Sequence, residues 1–253
     1  MKNNKFYEIW KAEESIAHIK GWDFSHIEDR YEEDTRFPWD YRDAILEILR
    51  PEMQIMDMDT GGGEFLLNLG HPHSNTAAME NYPPNVALCR ETLLPLGIDF
   101  RPGSAAGPLP FEDSRFDLIL NRHGDFNAEE IFRCLKPGGI FITQQVGAHN
   151  DRELVQLLQG DQPPVFSEQA LDITCEKFRS AGFSILQAQE CFRPVRFYDV
   201  GALVWFARII QWEYPGFSVG THLDALWDAQ ALLERQGCIE SRTHRFFLMA
   251  QKP

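Results

Sequence analysis

Between residues 41 and 146 short apolar runs alternate with helix-patterned segments, and this alternation constrains the fold more than any other feature of the chain. Ala44, Ile45, Ile48 and Leu49 share one face of a helix over 41–49, which Pro51 ends because its ring cannot continue the hydrogen-bond ladder. Strands are predicted at 54–58, 75–80, 98–101, 115–120 and 139–146, with helices at 64–69, 84–96 and 128–135 between them. Parallel strands need crossover connections, so this order predicts a doubly wound, mostly parallel sheet with helices on both faces. A helix over 167–181 and strands at 184–191 and 244–251 bring the sheet to seven strands. The aromatic-rich segment 198–214 reads as a helix broken by Pro215 and Gly216.

Residues 1–40 mix Phe6, Tyr7, Trp10, Trp22, Phe24, Phe37 and Trp39 with charges, while Ile9, Ala12, Ile16 and Ile19 recur at helical spacing. This segment is expected to be an N-terminal helical cap on a domain of residues 41–253, in which 197–240 forms a helical, aromatic insertion before the last strand. A net charge of −14 opposes binding to DNA or long RNA without a local basic patch, and no such patch stands out. The N-terminus turns acidic too early for a signal peptide, and no apolar run approaches the ~18 residues of a membrane span, so a cytoplasmic protein is expected. Five widely spaced cysteines without a CxxC pair are read as buried or incidental thiols.

The first predicted strand ends in a glycine cluster, IMDMDTGGGEF at residues 55–65. In a parallel α/β sheet, ligands bind at the carboxyl ends of the strands, and glycines there let backbone N–H groups approach them. Glu80 follows about twenty residues later, at the end of the second strand, where an acid can accept both hydroxyls of a ribose. A dinucleotide fingerprint is not met, since Leu66 stands where its third glycine belongs, and no Gly-Lys-Ser/Thr follows to make a Walker loop. His71 and His73 have no cysteine or third ligand near them in sequence, so no metal is expected.

The succession MDMDTGGGE, GSAAGPLPFEDSRFDLIL (103–120) and EEIFRCLKPGGIFIT (129–143) resembles the class I S-adenosylmethionine-dependent methyltransferases, most of all their small-molecule branch. The resemblance covers roughly residues 50–150. It implies a Rossmann-like methyltransferase fold, S-adenosyl-L-methionine as cofactor and a small-molecule methyl acceptor. By the same resemblance Asp57, Gly61, Gly62 and Gly63 cradle the methionine part of the cofactor, Glu80 with Asn81 beside it serves the ribose, and Asn121 approaches the methionine and the transferred methyl. Ser104 and Ala105 stand beside the adenine amino group, Ser104 replacing an acidic residue usual in the family. The Lys136 to Gly139 turn is structural. Asp59 replaces a usual glycine; its carboxylate is expected either near the cofactor ammonium or bonded to the N–H groups of its own turn.

A sulfonium activates its own methyl group, so the reaction needs an in-line nucleophile in a water-poor site, and a base only if that nucleophile starts protonated. The candidates lie in NRHGDF after the fourth strand: Asn121, Arg122, His123 and Asp125. His123 is the candidate catalytic base and, with Arg122, a candidate acceptor contact. The competing role for His123 is to cap the next helix or pair with Asp125. Gln144 and Gln145 end the next strand, with His149 and Asn150 beyond, and Gln145 suits an acceptor amide or hydroxyl. Tyr198, Trp205, Phe206, Trp212, Tyr214 and Phe217 either line an apolar pocket or, as is commoner at helical spacing, form core. Arg193 and Arg196 read as solvated loop arginines. An RNA base methyltransferase is the nearest alternative, opposed by the acidic balance; a silent cofactor-binding protein is another, kept open by Asp59 and Ser104; a dehydrogenase ranks last.

Overall fold

A computed structural model describes residues 2–19 and 23–253; Trp22 lies outside the described residues. Strands β1 (Tyr31–Glu33), β2 (Ile55–Met58), β3 (Thr76–Glu80), β4 (Asp99–Pro102), β5 (Phe116–Arg122), β6 (Leu135–Val146), β7 (Ser184–Phe197) and β8 (Ile239–Gln251) form one sheet in the order β1-β7-β8-β6-β5-β2-β3-β4. The pairs β2·β3, β3·β4, β2·β5 and β5·β6 are parallel, and β6·β8 is antiparallel. The chain runs outward from β2 to β4 and then returns to β5 on the other side of β2. This reversal makes the carboxyl ends of β2 and β5 the switch point where such sheets bind ligands.

The seven expected strands are present, joined by an eighth. β1 pairs antiparallel with the end of β7, Glu32 opposite Arg196. Three residues are too few to display alternation, so nothing in sequence marked it. β7 and β8 are also longer than expected, and β6 already begins at Leu135, the last residue of the expected helix, and runs through the Lys136 to Gly139 segment expected to be a turn.

By contacts the chain divides into two units. The larger comprises Phe37–Gly147, Glu168–Cys191 and Arg245–Pro253. Because side chains alternate along a strand, Ile55, Ala78, Leu118, Leu120, Ile142 and Phe247 pack on one face, with α2 (Tyr41–Ile48), α3 (Glu64–Leu67) and α4 (Pro83–Thr92). Met56, Met58, Met79, Ile119, Phe141 and Leu248 pack on the other, with α5 (Ala128–Cys134) and α7 (Leu171–Ser180). Asp40 caps α2 through the N–H of Asp43 at 2.8 Å. The helix expected over 84–96 is split: α4 ends at Thr92 and a 3₁₀ turn, Leu94–Leu96, follows, with Pro95 denying the ladder a donor.

The second unit comprises Met1–Arg36, Ala148–Ser167 and Phe192–His244. It holds α1 (Lys2–Ile16), α6 (Arg152–Gln159), α8 (Val200–Ile209) and α9 (Leu223–Gln236). Trp205, Phe206, Tyr214 and Phe217 are buried here with Trp10 and Ile27, so most of the aromatic stretch is core; Tyr198 and Trp212 are exposed. Trp10 lies 4.7 Å from Trp227 between ring centroids. Arg196 is paired with Glu240 at 2.6 Å rather than solvated alone. No helix among the described residues is long and apolar enough to cross a membrane.

Candidate functional site

The turn after β2 takes its shape from backbone conformation. Asp59, Gly61 and Gly63 have φ of 53°, 63° and 86°, the left-handed region that glycine adopts freely and aspartate tolerates. A Cβ built on Gly61 would meet nothing within 4 Å, so that side of the turn is open; one on Gly63 would strike Leu93 at 2.7 Å.

Glu80, at the end of β3 and beside β2, holds this turn. Its carboxylate accepts the N–H of Gly61 at 2.9 Å, those of Asn81 and Tyr82 at 2.8 and 2.9 Å, and the Asn85 amide at 3.3 Å. Four donors fill the roughly four acceptor positions of a carboxylate, so a ribose hydroxyl reaching Glu80 would displace or share the longest, Asn85. The Cys89 thiol closes the turn from behind onto the carbonyl of Gly61, and burial pushes its pKa up to about 11, far from thiolate chemistry.

The acids of the site are all poorly solvated. Asp57 accepts the Thr60 hydroxyl at 2.6 Å; burial pushes its carboxyl up to about 6, against that bond and Arg122, with Glu80 adding to the rise. Asp59 is pushed up to about 7, by burial first and then by Glu80, Asp125 and Asp57. Its Oδ1 is buried without a partner, and no N–H of its own turn reaches the carboxylate. A Cβ on Gly124 would sit 2.3 Å from Asp59 Oδ2, so this carboxylate rests against the Gly124 backbone.

At the end of β5, Asn121 lies opposite Met58 on one side and Thr143 on the other. It is fully buried; its Oδ1 accepts Gln145 Nε2 at 2.5 Å and the Thr143 hydroxyl at 3.3 Å, and its backbone carbonyl accepts Tyr41 OH at 3.0 Å. Gln145 is equally buried, its amide nitrogen also donating to Thr143 Oγ1 and Gly124 O and its Oε1 lacking a partner. Gln144 points to the opposite face and accepts Trp39 Nε1 at 2.8 Å. The sheet thus brings Asp57, Asp59, residues 61–63, Glu80 and Asn121 together. Asn81 is exposed beside Glu80, Ser104 is exposed and Ala105 buried in the loop after β4, and Gln145 stands behind Asn121.

His123 has a φ of 60° and an exposed side chain. Desolvation first, then Arg245 and Arg122, disfavour the protonated ring and lower its pKa. It does not cap the next helix: Asn127 does, accepting the N–H groups of Glu129 and Glu130 at 3.0 and 3.2 Å. Arg122 is exposed, its guanidinium 4.7 Å above the Phe65 ring. His149 and Asn150 belong to the other unit, where the His149 ring lies 5.7 Å from that of His244. Among the described residues no three of His, Cys, Asp and Glu gather to hold a metal, and His71 faces the Met53 carbonyl at 2.9 Å. Trp39, Tyr41 and Arg245 reach the rim of this region without any sequence signal, since strand register and the placement of α2 bring them there.

Residues 56–143 match the family described as methyltransferase domain. The phthiotriol/phenolphthiotriol dimycocerosates methyltransferase of Mycobacterium tuberculosis is 33% identical over 98 residues, which cover 36% of this chain and 36% of that protein. The chain thus spans about a third of the length of the curated relatives it matches. Two solved structures share the fold: the YcgJ protein of Bacillus subtilis (TM-score 0.55, 19% identity, 84% of this chain and 97% of that one) and the (4+2)-cyclase SpnF (TM-score 0.51, 21% identity, 88% and 86%). The chain thus carries, over residues 56–143, a match to the methyltransferase domain family, on a doubly wound sheet of the fold that these solved structures share.

Proposed function

We propose that this chain binds S-adenosylmethionine at the carboxyl ends of β2, β3 and β5 and transfers its methyl group to a small-molecule acceptor. The observation that carries the reading is the buried, unpartnered Oδ1 of Asp59 beside the open flank of Gly61. A desolvated acid with no internal partner suits a cationic ligand group, because a nearby positive charge restores the ionised form. The cofactor supplies a methyl on a sulfonium, which a nucleophile's electron pair displaces to leave a neutral thioether.

In this reading Asp57 and Asp59 attract the ammonium, residues 61–63 offer backbone to the methionine part, Glu80 and Asn81 serve the ribose, and Ser104 and Ala105 flank the adenine. Asn121 is fixed by Gln145, Thr143 and Tyr41, so its strand end is set before any ligand arrives. A neutral His123 orients an acceptor hydroxyl or amine as a hydrogen-bond partner and is a weak base. The acceptor is not carried over from the mycobacterial relative, whose match spans about a third of its length.

Calorimetry tests the cofactor: S-adenosylhomocysteine binds and NAD does not, and the reverse would sink the reading. Labelled S-adenosylmethionine incubated with fractionated cell extract tests transfer; label confined to RNA would replace the small-molecule acceptor with a nucleic acid.

A further inference from the structure

Two arginine positions share one sheet face near the carboxyl end of β5. Arg122 ends β5, its Cα opposite that of Gln144 in β6; Gln144 lies opposite Phe247 in β8, and Arg245, two residues before Phe247, lies opposite Val146. Residues in register or two apart share a sheet face, so Arg122, Gln144, Phe247 and Arg245 occupy the same face at the same end of the sheet. Neighbouring strands are ~4.8 Å apart and two residues rise ~6.8 Å, which puts the two arginine positions about 12 Å apart across β6. His123 follows Arg122, and both arginines disfavour its protonation.

Arg122 is held ready for a partner. Among the described residues it makes no ion pair within 4.0 Å, although acidic residues outnumber basic ones, 38 to 24. Asp57, the acid that feels its charge, is turned to the Thr60 hydroxyl instead. The guanidinium carbon lies 4.7 Å from the centre of the Phe65 ring, and a guanidinium offers a carboxylate a planar fork of donors. On the same face Trp39 donates to Gln144 and lies 6.0 Å from Phe247 and 5.6 Å from Phe37, an aromatic wall beside the charge.

We infer that the methyl acceptor is an organic acid, whose carboxylate is received by Arg122 and whose apolar body lies against Trp39 and Phe65. This rests on the methyltransferase reading above. With a net charge of −14 the chain as a whole repels such a molecule, so a local reversal of sign is what admits it.

The test uses the whole chain, labelled with nitrogen-15, and follows arginine Nε–H resonances by NMR. Loss of one signal in Arg122→Gln identifies Arg122. Sodium benzoate, at constant ionic strength, shifts that signal saturably and with at least about tenfold higher affinity than benzamide, its neutral counterpart; it shifts exposed Arg90 less. Arg122→Lys retains a weaker preference for benzoate, measured by equilibrium dialysis. Equal responses to benzoate and benzamide, no response at Arg122, or a preference that survives Arg122→Gln would each overturn the inference. S-adenosylhomocysteine binding is measured on the same sample by calorimetry: its loss with benzoate recognition intact sinks the methyltransferase reading, and the converse sinks the organic-acid acceptor alone.

Discussion

The Glu80 carboxylate accepts the backbone N–H of Gly61 at 2.9 Å, so the end of β3 holds in place the glycine turn that follows β2. Two neighbouring strand ends act as one element, and loss of this anchor is felt by the fold as well as by a ligand. Glu80→Ala leaves poorly solvated N–H groups at Gly61, Asn81 and Tyr82; it is expected to cost about 1–3 kcal/mol in urea denaturation and to weaken S-adenosylhomocysteine binding. An unchanged midpoint would show that water replaces the carboxylate without cost.

Asp59 gives stability a pH dependence of defined sign. Its folded pKa of about 7 lies above that of an unfolded aspartate near 3.9, so the folded state keeps a proton that the unfolded state has released. The associated stability is present below the unfolded value and is lost as pH rises toward 7; Asp57 contributes in the same direction up to about 6. Asp59→Asn flattens that slope, and Asp59→Gly also relieves a left-handed aspartate, raising ligand-free stability by about 1 kcal/mol. Denaturation at a series of pH values checks both.

On the proposed function, cofactor binding is linked to the same proton. S-adenosylmethionine carries one more positive charge than S-adenosylhomocysteine, so it is expected to bind more tightly as pH rises through 7 and to expel a proton from Asp59. Calorimetry in buffers of different ionisation enthalpy measures the release, and Asp59→Asn abolishes it. Equal proton release by the variant and the parent chain would remove Asp59 from this role.

Gln145 acts through Asn121. Gln145→Ala removes donors to Asn121, Thr143 and Gly124 together and is expected to destabilise the fold by about 1–3 kcal/mol. Gln145→Glu retains the size but reverses the polarity at Asn121 Oδ1. If thermal unfolding shows Gln145→Glu as stable as the parent, the Asn121 amide is flipped relative to the arrangement described.

The lowered pKa of His123 predicts that its ring stays neutral through the range in which an ordinary histidine titrates, near pH 6.5. Its ring resonances in a pH series therefore show no transition there, whereas Arg122→Gln, which removes one of two neighbouring cations, moves the transition upward. A normal titration in the parent chain would restore His123 as a candidate base.

The parallel sheet was legible because Ile55, Ala78, Leu118 and Ile142 belong to apolar runs of strand length separated by helical patterns. β1 was not, having three residues, and α6 was not, since it starts after Asp151 in a left-handed conformation without a capping bond to mark its boundary. At the site, the interval from Asp59 to Glu80 and the glycines could be read directly. The four donors on Glu80, the lock on Asn121 and the approach of Arg245 to His123 depend on strand register and side-chain direction, which a one-dimensional pattern does not encode. That no hydrogen bond reaches Asp59 Oδ1 is visible only in three dimensions.

The positive φ at residue 59 favours glycine, and after it asparagine and aspartate, over other residues. Those three present the ligand region with nothing, with a neutral dipole, or with a full negative charge, on one unaltered backbone. The position is therefore a three-step adjustment of electrostatic potential, and a single codon change can retune which charge state of a ligand the turn prefers while the fold around it stays the same.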